Sequence, residues 1–118
     1  MNQEQENKIF EMLEKLRKAC YGDLTADMAS QILLKISSLY GNIVEIAIDA
    51  EMEYNRTYKD LTDEYEKVSE ARAKAKASPE YERMLRLEGR LDVTRELIRS
   101  LKYLLKVKLE EKNEYVNG

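Results

Sequence analysis

A chain of 118 residues, 43% hydrophobic and 36% charged, is sized for one domain, residues 1–118. It is too charged for a large globular core, and high charge with strong periodicity points to long helices packed as in coiled coils. One Pro and four Gly leave room for few loops, which excludes a β-fold and its many turns. The lone Cys20 excludes an intrachain disulfide. The absence of histidine removes the commonest general base and the commonest transition-metal ligand.

The first predicted helix runs from about Gln3 to Tyr21. Ile9, Met12, Leu13, Leu16 and Cys20 recur at helical spacing and form one apolar stripe. Gly22-Asp23 ends it, with Gly22 expected in the left-handed conformation. Asp23 or Thr25 then caps the next helix.

The second predicted helix has no Pro from Thr25 to Ser78, and Gly41-Asn42 is the one place for a kink. Its first half carries Met28, Ile32, Ile36, Leu39 and Ile43. Its second half carries Ala47, Ala50, Tyr54, Tyr58, Leu61, Tyr65 and Val68, a seam with heptad-like steps. Ser78-Pro79-Glu80 reads as a helix N-cap followed by Pro at the first helical position. The residue before Pro is pushed out of the α region, so the preceding helix must break there. The third predicted helix runs from Pro79 to about Lys112, with a seam of Met84, Leu87, Leu91, Thr94, Ile98, Leu101 and Leu105.

The expected fold is therefore all-α. It is an extended three-helix chain, N-shaped or Z-shaped, with a long antiparallel helical hairpin about Ser78 and coiled-coil-like packing. Counting equal distances from the turn sets Leu105 beside Glu51, and leaves Thr25 to about Asn42 to pair with the first helix. Ile43 to Ile48 is apolar almost all round, and such helices are buried on every side. A two-layer hairpin cannot cover that belt by itself. Ile43, Val44, Ile46 and Ile48 are thus the expected interface of a homo-oligomer, or else lie at a three-way helix junction.

Little chemistry is visible. No glycine-rich phosphate loop, zinc spacing or activated nucleophile is present, and the acidic pair Asp49 and Glu53 reads as a solvated helix face. The expectation is a protein without enzymatic activity, metal or cofactor. Charge is unevenly distributed. From Arg83 to Lys108 there are eight basic and three acidic residues, an anion-seeking excess inside an acidic chain. Arg95, Arg99, Lys102 and Lys106 step by four, three and four and share a face beside the seam. With Arg83, Arg86 and Arg90 they are the candidate phosphate contacts. Tyr54, Tyr58 and Tyr65 fall on the seam and read as packing residues. Tyr81 and Tyr103 are less committed to it, and are better placed to stack on bases.

The run Arg83-Met84-Leu85-Arg86-Leu87-Glu88-Gly89-Arg90-Leu91-Asp92 resembles the segment that opens the C-terminal helix of the UvsY family of phage recombination mediators. The layout is also similar: a long charged helix, a short break, then an assembling helix. The likeness covers Ser78 to Lys108. Val93-Thr94 stands where that family is richer in aromatics, and the chain's N-terminal end is acidic. The resemblance implies an oligomeric accessory protein that binds single-stranded DNA and partners such as a recombinase or a single-strand-binding protein. A reading of another class is a small phage-type protein–protein module, an inhibitor or adaptor that never touches nucleic acid. The polar, acidic N-terminus lacks the marks of a signal peptide. With no run of apolar residues near the roughly 20 needed to span a bilayer, the expectation is a cytoplasmic protein with no membrane partner.

Overall fold

The computed structural model describes residues 2–117, with side chains to residue 112. Four helices follow in order among the described residues: α1 Gln3–Ala19, α2 Ala26–Glu64, α3 Val68–Lys76 and α4 Pro79–Asn117. The all-α hairpin architecture is as expected, with α2 and α4 packed along each other.

The helix ends follow from local chemistry. Asn2 and Gln5 form a reciprocal capping box: the Asn2 side chain accepts from the Gln5 N–H at 2.8 Å, and the Gln5 side chain accepts from the Asn2 N–H at 3.1 Å. Thr25 caps α2 by accepting from the Met28 N–H at 3.1 Å. Gly22 does not take the left-handed conformation expected of it. No described glycine has a positive φ, and α1 ends on Cys20 in ordinary right-handed geometry. Ser78 behaves as predicted. Its hydroxyl accepts from the Tyr81 N–H at 3.2 Å, donates to the Ala75 carbonyl at 2.6 Å, and Pro79 opens α4.

The second predicted helix is two helices. Gly41 does not interrupt it; the chain leaves helical geometry at Tyr65–Lys67, where no Pro or Gly stands. Local charge favours an end there. The last turn of α2 has no basic residue, while Asp63, Glu64 and Glu66 crowd the negative end of the helix dipole. Nearby, the Thr62 hydroxyl donates back to the Lys59 carbonyl at 2.7 Å, a bond that competes with regular helix. The short α3 has the favourable polarity, with Glu70 in its first turn and Lys74 and Lys76 in its last.

The break moves the register of the hairpin, because α3 occupies part of what had been counted as one straight helix. The chain divides into two compact units, residues 1–42 with 92–118 (unit 1) and residues 43–91 (unit 2). Unit 1 has a core of Leu16, Leu24, Ala29, Ile32, Ile36 and Leu101, with Leu105 packed against it. Leu105 thus lies against the core that holds Ile32 and Ile36, well toward the N-terminus from the Glu51 position that simple counting gave. In unit 2 the register is fixed by Arg83 reaching Glu53 and by Tyr81 packing on Tyr54. Its buried residues are Ile43, Ile46, Ala50, Ala71, Ala75 and Leu87.

Ala29, Ile36, Ile43 and Ala50 are buried along α2 at every seventh position, and Leu87, Thr94 and Leu101 are buried along α4 in the same way. This is the repeat of coiled-coil-like seams. Met28, expected on the seam, is half-exposed, and its neighbour Ala29 takes the place; Val68, also expected there, falls past the break in α3 and is 58% exposed. By length and composition α2 also contains a stretch apolar enough to cross a membrane, with a mean hydropathy of 1.2. The core helix of a soluble protein meets the same description; 22% of the stretch is buried inside this chain, on the seam side of α2.

Candidate nucleic-acid interface

The basic residues of α4 fall into two groups. Arg83, Arg86 and Arg90 belong to unit 2, and Arg95, Arg99, Lys102 and Lys106 to unit 1. Arg83 is committed to packing. Its guanidinium donates to the Glu53 carboxylate at 3.0 Å, and its side chain keeps only 22% of its surface exposed. Arg86 is exposed and Arg90 half-buried.

In unit 1, Arg95 and Arg99 bond to carboxylates of their own helix, and Arg95 also to a neutral hydroxyl. Arg99 donates to Glu96 at 2.6 Å and Arg95 to Asp92 at 3.4 Å, both one turn away. Exposed pairs of this kind contribute little, and the Arg99 side chain remains 73% exposed. Lys102 and Lys106 are exposed. Arg95, Arg99 and Lys102 line an open groove with Ile98 of α4 and with Ser37 and Tyr40 of α2. The Nε of Arg95 donates to the Tyr40 hydroxyl at 3.1 Å. That hydrogen bond first, and the charge of Asp92 in addition, hold the guanidinium above its ordinary pKa. The spacing of α4 pointed to the cations of this groove. Ser37 and Tyr40 were missed, because nothing in a single helix's periodicity says which residues of another helix flank it. Tyr40 lies one position beyond the seam residue Leu39, and that edge position was the available signal.

The tyrosines separate in the same way. Tyr54 packs on Tyr58 and on Tyr81, with ring centroids at 6.4 and 5.1 Å. Tyr81, a candidate for base stacking, is therefore part of an aromatic cluster in unit 2. Tyr103 is 71% exposed, four residues after Arg99 and three before Lys106. It is the stacking candidate whose ring is open to solvent.

The expected interface residues are divided too. Ile43 and Ile46 are 0% exposed within the single chain, so no second copy is needed to cover them. Val44 is half-buried, and Ile48 is 50% exposed. Ile48 and Met52 leave an apolar surface on α2. Among the described residues no group of three or more acidic, Cys or His side chains is placed to hold a metal ion. Cys20 is half-buried, its thiol donates to the Leu16 carbonyl at 3.3 Å, and burial raises its pKa. A protonated, hydrogen-bonded thiol is a poor nucleophile.

A scan of protein-family models, a search of curated proteins and a search of solved structures each return no match.

Proposed function

We propose that this chain is a non-enzymatic accessory protein that binds single-stranded DNA through unit 1. The observation that carries the reading is the groove of Arg95, Arg99 and Lys102, continued along α4 by Lys106. Cations whose acidic partners lie on their own exposed helix surface can exchange those partners for phosphates, releasing counterions from the nucleic acid. Tyr103 beside the stripe supplies a ring on which a base of any identity can stack. Nothing in the stripe is arranged to read base edges, so binding is sequence-tolerant.

The likeness to recombination mediators agrees with this reading in kind. Its most specific run, Arg83 to Asp92, has a packing account of its own, since Leu87 is buried and Arg83 pairs with Glu53. The weight therefore rests on the stripe after it. A homo-oligomer joined through Val44, Ile48 and Met52 would repeat the stripe and add weak contacts by multivalency. A recombinase or a single-strand-binding protein is the class of protein partner that the mediator reading brings with it.

The test is fluorescence anisotropy with labelled oligo-dT at a series of salt concentrations. Binding at low salt should fall with a log–log slope of up to roughly −3, about −0.7 for each phosphate neutralised by the four cations. No binding at low salt removes this reading. The alternative is then a protein–protein module that uses the exposed apolar residues of α2, Ile48 and Met52.

A further inference from the structure

We infer that Ser37 and Tyr40 of α2 complete a seat for one phosphodiester group on the basic stripe, with Tyr40 as the residue that positions Arg95. The inference rests on the DNA-binding reading and adds to it a defined subsite shared by two helices.

An arginine grips a phosphate through the shape of its guanidinium. Its guanidinium offers five N–H donors in a planar fork, and two parallel bonds to two oxygens make the strong, directional contact. On a free surface the long side chain samples many rotamers, and fixing it on binding weakens the complex. Arg95 has a partner on each helix that favours one orientation. Its Nε donates to the Tyr40 hydroxyl at 3.1 Å and one Nη1 hydrogen is directed at Asp92 at 3.4 Å. Two of the five donors are used, and the remaining ones are left for a ligand.

The surroundings match a phosphate group. Arg99 and Lys102 line the same groove and supply positive charge for the adjoining phosphates of the strand. The exposed Ser37 side chain adds a hydroxyl donor from the α2 side. Ile98 gives the groove an apolar wall, which suits a sugar. Glu96 holds Arg99 from the exposed surface of α4 and is not a lining residue of the groove. Asp92 is likewise not a lining residue. The lining thus offers cations and hydroxyls, and the two carboxylates that pair with those cations stand outside it on α4.

The experiment separates position from charge. Full-length wild type, Tyr40→Phe, Ser37→Ala and Arg95→Gln are titrated with labelled oligo-dT over a salt series, with thermal melting followed by circular dichroism as the check on folding. Tyr40→Phe keeps the ring and all the cations but removes the acceptor that holds Arg95. It should weaken binding about two- to tenfold, the effect of releasing one side chain, with the salt slope unchanged. Ser37→Ala, at an exposed helix position, should weaken binding a few-fold, again with the slope kept. Arg95→Gln should weaken binding further and reduce the slope by about 0.7. Wild-type affinity in both Tyr40→Phe and Ser37→Ala overturns the seat while the DNA-binding reading stands. A slope loss in Tyr40→Phe equal to that of Arg95→Gln overturns the positioning role. Absence of wild-type binding at low salt instead removes the reading on which the seat rests. Vesicles containing phosphatidylglycerol, matched for phosphate, present the other source of the same chemistry; tighter binding to them than to oligo-dT overturns the assignment to a nucleic-acid strand.

Discussion

Arg83 and Arg99 stand on the same helix, yet their environments differ in kind. Arg83, in unit 2, reaches across to Glu53 on α2 and is largely covered. Arg99, in unit 1, bonds Glu96 one turn back and is largely exposed. The tyrosines repeat the contrast: Tyr81 is packed on Tyr54 in unit 2, and Tyr103 in unit 1 is open. A charge or ring that bridges two helices helps to hold the fold. One that pairs only within its own exposed turn keeps its binding capacity, because the local pair is nearly neutral in free energy and easily exchanged. In this chain, the partner of a basic residue says more about its role than its place in a charge run.

The largest expected effect tests whether unit 2 is closed by its own chain. Ile46→Asp puts an unpaired carboxylate at a position with no exposed surface, and should cost several kcal/mol or prevent folding. Ile48→Asp, two residues away and half-exposed, should leave the melting temperature within a few degrees. Urea unfolding followed by circular dichroism compares them. Equal, severe losses would mean that Ile48 is buried in an assembly, and light scattering on the wild type at micromolar concentration would then have to show that assembly.

Next in size is the reversal of charge in unit 1. Arg99→Glu combined with Lys102→Glu should abolish oligo-dT binding and leave helicity intact, since both side chains are exposed. If the double variant instead changes only the assembly mass, the stripe meets an acidic protein surface and not a nucleic acid.

The tyrosines give a crossed test of intermediate size. Tyr54→Ala removes a ring in contact with two others and should destabilise the protein by about 2–3 kcal/mol, with little effect on binding once the protein is folded. Tyr103→Ala should leave stability unchanged and weaken oligo-dT binding roughly tenfold, the loss expected of one base stack. An abasic oligomer should not distinguish wild type from Tyr103→Ala. Loss of stability in Tyr103→Ala would remove its assignment as a stacking surface.

Much of this was legible in the sequence. Helix type, the Ser78-Pro79 punctuation and the two seams follow from periodicity and turn chemistry, which are local. Two things were not legible. The break at Tyr65–Lys67 has no helix-breaking residue; it coincides with three carboxylates at a helix C-terminus, an effect of tenths of a kcal/mol each that a search for Pro and Gly passes over. The register of α4 on α2 depends on that break, so the error carried forward to the position of Leu105. The apolar belt at Ile43 to Ile48 does not by itself call for assembly, for a related reason. Its periodicity was read as covering all sides, yet Ile43 and Ile46 lie inside and Ile48 lies half outside. Of the candidate DNA contacts, the stripe Arg95, Arg99, Lys102 and Lys106 follows from spacing alone. That Arg83 is held by Glu53 could not be seen without the register.

The smallest expected effect bears on the contrast most directly. Arg83→Gln removes the cation that pairs with Glu53 and keeps a side chain of similar length. The pair is partly exposed, with 47% of the Glu53 side chain accessible, so the loss should be about 0.5–1 kcal/mol, at the upper end for surface pairs. That corresponds to a fall of a few degrees in melting temperature for a domain of this size. The salt slope of oligo-dT binding should not change, because a guanidinium that stays with its carboxylate across the hairpin neutralises no phosphate and so displaces no counterion from the DNA. Arg99→Gln should do the reverse: a negligible change in melting temperature and a slope smaller by about 0.7. If Arg83→Gln also lowers the slope by that amount, the bond to Glu53 gives way to DNA. The binding surface then includes unit 2, and the division of labour along α4 is lost.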